Sequence, residues 1–254
     1  MRIAALLAVL VVVAARSWQD RILSTRWREP LFVAIYPIAA DDSPRTREYL
    51  KGLDAEAFKP IDRFFAGEAA RYHLRISEPF RTRLKGELGE RPPERSASDG
   101  PLATVMWILR LRYWAWRMSR SGIEPEDIRV FVLYHDPDLT PSVPHSLGLA
   151  KGLIGVVYAF AAPAMSRTND VVIAHEMLHT VGATDKYDPG NDAPRFPDGY
   201  GDPNQSPLYP QRFAELMAGR LMLTESRWQQ AAGLDEALIG PATAGEIRWT
   251  SHVR

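Results

Sequence analysis

His175, Glu176 and His179 stand in the order H-E-x-x-H, inside the stretch VVIAHEMLHTVGATDKY at residues 171–187. On an α-helix, residues four apart lie one turn apart on one face, so the two imidazoles converge. Paired neutral imidazole nitrogens suit a zinc ion. Glu176 cannot easily join the same ligand set as its two neighbours, and is better placed to move a proton to or from water. Gly182, three residues after His179, can take a left-handed conformation, end the helix and reverse the chain. The reversal matters because a third ligand cannot reach the same ion by continuing along the helix. Asp185 then arrives from the loop with a hard carboxylate oxygen. Glu215 and Glu225 are its rivals as third ligand, in the manner of zinc sites that take a glutamate from a second helix. Three protein ligands leave a fourth position open, which marks a catalytic rather than a closed structural site. Two histidines and one carboxylate also suit non-haem iron, but the helical H-E-x-x-H setting favours a single zinc ion.

The rest of the composition narrows the chemistry. The chain has 254 residues and no cysteine, so disulfides, thiolate metal sites and cysteine nucleophiles are excluded. Lys plus Arg equals Asp plus Glu at 31 each, which argues against a broad nucleic-acid surface. The length allows one catalytic domain with an appendage. An unbroken apolar run at residues 3–15 follows Arg2. It is short for a membrane span, which needs about 20 residues, and suits the core of a signal peptide. Val13-Ala14-Ala15 offers a small-residue cleavage site; alternatively Trp18 extends the run into an uncleaved anchor. Residues 1–28 are therefore read as a signal peptide or membrane anchor with a flanking segment, and 29–254 as the catalytic domain. The expected location is exported, periplasmic or otherwise extracytoplasmic, with membrane contact through the N-terminal segment if it is retained.

Several elements must position the histidine pair. Strands are expected at 31–38 (LFVAIYPI), within 79–88, at 128–134 (IRVFVLY) and at 153–160 (LIGVVYAF), from their branched and aromatic runs. Residues 54–73 read as a helix or two short ones, with Pro60 near a helix start and Ile61, Phe64, Phe65 and Ala69 as the apolar stripe. Residues 90–101 read as a polar loop. Residues 102–121 read as a long helix ended by Gly122, whose Trp107, Trp114 and Trp116 pack against a sheet. Thr168 or Asn169 is expected to cap the histidine-bearing helix, with Asp170 favourably placed for its dipole. His135 and His145 flank a proline-rich loop and read as ordinary loop histidines. Residues 183–210 show no periodicity. A loop that long is usually functional or disordered, and here it begins at a ligand candidate, so it is read as a wall of a cleft. Beyond it, a helix capped by Thr224 and short helical pieces at 234–239 and 244–249 are expected. The sum is an α+β fold: a small mixed β-sheet, two long helices, one carrying the zinc motif, and a loop-rich, helical C-terminal part.

The run from His175 to Asp185 resembles the extended zinc motif of the metzincin metallopeptidases. Most members carry a third histidine where this chain has Asp185; the snapalysin-like enzymes carry an aspartate, and the chain is similar to them in that respect. The family also has a methionine turn beneath the metal, and Glu215-Leu216-Met217-Ala218-Gly219 matches it, with Met217 as its methionine. The resemblance covers about residues 153–219. It implies a mixed sheet whose edge strand, here 153–160, lines the substrate cleft and binds an extended peptide by strand addition. An aspartate ligand lowers the net charge at the metal relative to three histidines, so water there should be less acidified. Members that place a tyrosine just after the methionine differ from this chain, which has Ala218 and Gly219. Tyr187, two residues after Asp185, is the candidate phenol for stabilising a transition state.

The resemblance thus implies a zinc-dependent endopeptidase acting on a peptide or protein substrate, with Glu176 as general base. The competing expectation is an envelope-anchored, non-catalytic binding module that keeps a metal for stability, with the aromatic helix and the proline-rich loop as its interaction surfaces.

Overall fold

The computed structural model describes residues 25–94, 100–119, 125–149 and 153–250. The apolar run at 3–15, its flanking arginines to residue 24 and Gly122 lie outside the described residues. Among the described residues, no helix is long and apolar enough to cross a membrane.

The fold is α+β. Its main sheet has the strand order β2-β1-β3-β5-β4, built from β1 (Leu31–Ala39), β2 (Phe80–Leu84), β3 (Ile128–His135), β4 (Leu147–Leu149) and β5 (Ile154–Phe160). The first four in that order run parallel, and β4 pairs antiparallel with β5 through Leu147↔Val156, Gly148↔Gly155 and Leu149↔Ile154. The expectation that 153–160 is the edge strand is therefore corrected: β5 is covered by β4, which forms the edge. Three residues with a glycine at their centre carry too little pattern to be read as a strand.

Parallel strands need both faces covered, and their side chains alternate between two cores. Val33 and Ile35 of β1 and Val130 and Val132 of β3 face one core, with Ile61, Phe65 and Ala69 of α2 (Lys59–Arg71) and Ile173, Met177 and Leu178 of α4 (Ser166–Thr180). The short helix α1 (Pro44–Lys51) packs there through Leu50. Ala34, Tyr36 and Ile38 of β1 with Phe131 and Leu133 of β3 face the other core, under Trp107, Leu111, Trp114 and Ala115 of α3 (Pro101–Met118). Core packing holds for Trp107 and Trp114. Trp116 instead is 49% exposed, on an outward stripe with Leu102, Val105, Met106, Leu109 and Tyr113.

The C-terminal part departs from expectation. It forms a second sheet of order β8-β7-β6-β9, from β6 (Ala214–Glu215), β7 (Arg220–Met222), β8 (Trp228–Gln230) and β9 (Ala237–Leu238). The helix expected after Thr224 is instead the turn and strand β8. Thr224 accepts hydrogen bonds at its hydroxyl from the amides of Ser226 and Arg227, which closes the β7–β8 turn. Residues 234–239 form one 3₁₀ turn followed by β9, and α5 spans Pro241–Glu246. The two ends of the described chain meet: the Trp27 indole donates to the Ile247 carbonyl at 2.7 Å, and Trp27 stacks edge-on against Trp249.

Candidate metal centre

The helix that carries the motif begins earlier than expected. A 3₁₀ turn at Pro163–Met165 runs directly into α4, whose first residue is Ser166, and no side chain caps it. Thr168 and Asn169 are inside the helix. Asn169 exchanges two hydrogen bonds with the backbone of Phe160, which ties α4 to the end of β5. Asp170 is buried, away from the solvated first turn, and burial raises its carboxyl to about 7.

His175 and His179 project from one side of α4, and their Nε2 atoms lie 3.0 Å apart. The helix ends at Thr180, and Gly182 follows at φ +106. That left-handed step reverses the chain as the sequence predicts. It brings back the Ala183 carbonyl, which accepts from His179 Nδ1 at 2.9 Å. It also brings Asp185 Oδ1 to 3.1 Å from His175 Nε2 and 3.0 Å from His179 Nε2. His175 Nδ1 is fixed in turn by the Leu216 carbonyl at 3.0 Å.

These two carbonyls decide the protonation of the rings. A carbonyl can only accept, so both Nδ1 atoms carry hydrogen and both neutral rings present bare lone pairs at Nε2. Two lone pairs and a carboxylate oxygen then face one another in a triangle of side 3.0–3.1 Å. A single added proton could relieve one edge and leave the others repulsive. A divalent cation relieves all three. Donors that each sit about 2.0–2.2 Å from one tetrahedral ion are roughly 3.3 Å from each other, so the triangle has the size a cation requires. The donor set fits zinc. Burial opposes charge on both His175 and Asp185, but the bond a protonated His175 Nε2 would donate to the carboxylate outweighs it: the His175 pKa rises, and Asp185 lies well below the usual carboxylate range.

Glu176 is close to this triangle without belonging to it. The ligand atoms of His175, Glu176 and His179 all lie within 4.8 Å of one another, while Asp185 Oδ1 lies 3.0–3.1 Å from both rings. Glu176 is 4% exposed, and its Oε2 has no hydrogen-bond partner. Burial pushes its pKa up, and the two imidazoles pull it back. Above it passes β4. A Cβ on Gly148 would come within 2.5 Å of the Glu176 carbonyl and of His179 Cβ, and 3.0 Å from Glu176 Oε2. Glycine is thus what lets the edge strand lie against the motif. Nothing in the sequence around 147–149 signals this role.

The turn after β6 forms the floor. Met217 is fully buried, and its carbonyl accepts from the Lys186 amide at 3.0 Å, next to Asp185. Glu215, a rival third ligand, is excluded by its bonding. It is fully buried and accepts from the amides of Met217, Ala218 and Gly240 and from the Thr243 hydroxyl. Its role is to fold the turn that presents the Leu216 carbonyl to His175. Glu225 is exposed in the β7–β8 turn. The loop at 183–213 is held by its own side chains and by α5. Glu246 accepts from the Thr184 amide and hydroxyl and from Lys186 Nζ at 2.7 Å. The Arg195 guanidinium donates to the Asp185 carbonyl at 2.7 Å.

Tyr187 stands beside the triangle, its ring 6.5 Å from that of His175. Arg220 stacks over Tyr187 and over Trp228, each at 4.9 Å, and pairs with Asp192 at 3.4 Å. With His145, Ser146, Tyr158, Val172, His175, Glu176 and Gly219, Tyr187 and Arg220 line a cleft of about 190 Å³. His145 faces this cleft but is no part of the triangle. His135 is partly buried, and burial lowers its pKa. Sequence reasoning missed Arg220 because a lone arginine on a three-residue strand carries no pattern. No protein-family model matches the chain, and no curated protein matches it.

Proposed function

We propose that the chain is a zinc-dependent endopeptidase, with His175, His179 and Asp185 as the metal ligands and Glu176 as general base. The observation that supports this best is the arrangement of three lone-pair donors facing one another at 3.0–3.1 Å, with a buried, unpartnered carboxylate oxygen alongside. A closed structural site gains nothing from that carboxylate. Bound to the three donors, the ion would supply Lewis acidity, polarising a peptide carbonyl and acidifying water.

Glu176 then takes a proton from water at its free oxygen and returns it to the amine nitrogen that leaves. Its burial beneath Gly148 keeps bulk water from competing for that oxygen. The substrate chain lies along β4, whose outer edge has no strand partner among the described residues. Backbone hydrogen bonds to that edge hold an extended peptide without regard to its sequence. Tyr187 and Arg220 line the same cleft and offer a phenol and a guanidinium to developing negative charge. The N-terminal segment exports or tethers this domain.

The test is Glu176→Gln in the zinc-loaded protein, with an unfolded protein as substrate. The variant retains one zinc per chain and loses cleavage by roughly 10²–10⁴-fold, the usual worth of a general base. Cleavage at the wild-type rate by the variant would remove Glu176 from the mechanism. Absence of cleavage by zinc-loaded wild type would favour a metal-stabilised binding module.

A further inference from the structure

A second cavity borders α4 along Asn169, Asp170 and Ile173, with Asp170 about 140° round the helix from His175 at 100° per residue. Those three line a cavity of about 550 Å³ with Leu53, Phe58 and Ala161. That volume is within the range of small-molecule sites, and it exceeds that of the cleft at the histidines.

The walls are mostly apolar, and the buried polar groups Asn169, Asp170 and Tyr134 break them. Asp170 is 7% exposed and Tyr134 1% exposed, and neither side chain has a hydrogen-bond partner among the described residues. Burial is what raises the Asp170 pKa, with no donor offsetting it. The Asp170 oxygens are not among the fully enclosed, unpartnered atoms, so they open onto the cavity. The charged groups at the mouth come from α1. Arg45 is engaged by Asp136 and Asp138, and Glu48 is exposed. Tyr49 and Tyr134 are the other titratable groups facing Asp170. Arg45, which also lines the cavity, pairs with Asp136 and Asp138 and makes no ion pair with Asp170 among the described residues.

We propose that this cavity binds a small organic amine, with its ammonium group on the Asp170 carboxylate and its apolar body between Leu53, Phe58, Ala161 and Ile173. An ammonium brings three donors and no acceptor, which matches a carboxylate beside a phenol oxygen. A carboxylic acid ligand would set two acceptors against each other, and a hydrocarbon would leave the carboxyl unpaired. The exposed Glu48 at the mouth adds attraction for a cation and repels an anion.

The probes are 2-phenylethylamine and its neutral counterpart 2-phenylethanol, titrated by calorimetry at pH 8 into the full zinc-loaded chain. The amine binds at least tenfold more tightly than the alcohol. Asp170→Asn, isosteric at an unpaired position, retains the fold and abolishes that preference. Leu53→Trp fills the cavity and abolishes binding of both. It also guards against amine bound at the metal, since Leu53 lines this cavity and not the cleft at the histidines. No binding of the amine to wild type would overturn the proposal. So would a preference for the amine that survives Asp170→Asn, or amine binding that persists in Leu53→Trp.

Discussion

At the scale of single residues, two buried carboxyls on α4 have opposite expectations. Glu176 is held beside three donors that a cation would join, so replacing it by glutamine should spare metal content and remove chemistry. Asp170 is buried with nothing to pair with, so its replacement should stabilise the fold. Its folded pKa is about 7 against 3.8 for the free side chain. Below pH 4 both states hold the proton. As pH rises through 4 to 7 the unfolded chain ionises and the folded chain resists, so stability falls over that window and levels off above it. Asp170→Asn should therefore exceed wild type in urea unfolding at pH 8 by on the order of 2–4 kcal/mol, and by much less at pH 5. An advantage that is equal at both pH values would show that burial does not raise the Asp170 carboxyl above its unfolded value.

At the scale of elements, two glycines carry the site. Gly182 takes φ +106, where any side chain is strained by about 1 kcal/mol or more. Gly182→Ala should weaken metal binding together with stability, because the same turn delivers Ala183 to His179 and Asp185 to the triangle. Gly148→Ala places a methyl against Glu176 and His179. It should cost about 1–3 kcal/mol in thermal unfolding and lower kcat for peptide cleavage more than KM is raised, because Glu176 is what it displaces. A variant with unchanged unfolding and kinetics would show that β4 does not rest on the motif.

Legibility in the sequence followed the length of the elements. α4 and strands β1, β3 and β5 have seven or more residues of regular burial, and their hydrophobic patterns are visible in the chain. Gly182 was readable because a left-handed helix end has few other solutions. The start of α4 was misread because Asn169, a capping residue type, spends its side chain on Phe160 instead. The second sheet was missed because β6 to β9 are two or three residues each, below any period. They are held by pairing with distant segments rather than by local preference. Glu215 looked like a ligand because burial and its four hydrogen bonds are properties of the folded turn.

At the scale of the whole molecule, the triangle of donors is braced from the far end of the chain. Glu246 of α5 clamps residues 184–186, and Glu68 of α2 accepts from the Ile239 amide at 2.6 Å, just before that helix. The Tyr72 hydroxyl donates to the Ile239 carbonyl at 2.7 Å. Asp185 thus depends on contacts that only the complete domain makes. Glu246→Gln should weaken zinc binding by roughly 10–100-fold, the range for groups that orient metal ligands, as read by competition with a chromophoric chelator. Unchanged affinity would mean that the loop holds Asp185 on its own. Because a bound ion stabilises only the folded state, chelation should lower the melting temperature of wild type, and added zinc should restore it.

The claim on which the rest stands is that the three donors hold one ion. Zinc-edge X-ray absorption on the chain dialysed against zinc reads this directly. One tightly held zinc per chain is expected, coordinated by two imidazole nitrogens and carboxylate or water oxygens at about 2.0–2.2 Å, with loss of that signature in Asp185→Ala. A chain that emerges from dialysis without zinc, or a spectrum that Asp185→Ala leaves unchanged, would contradict it.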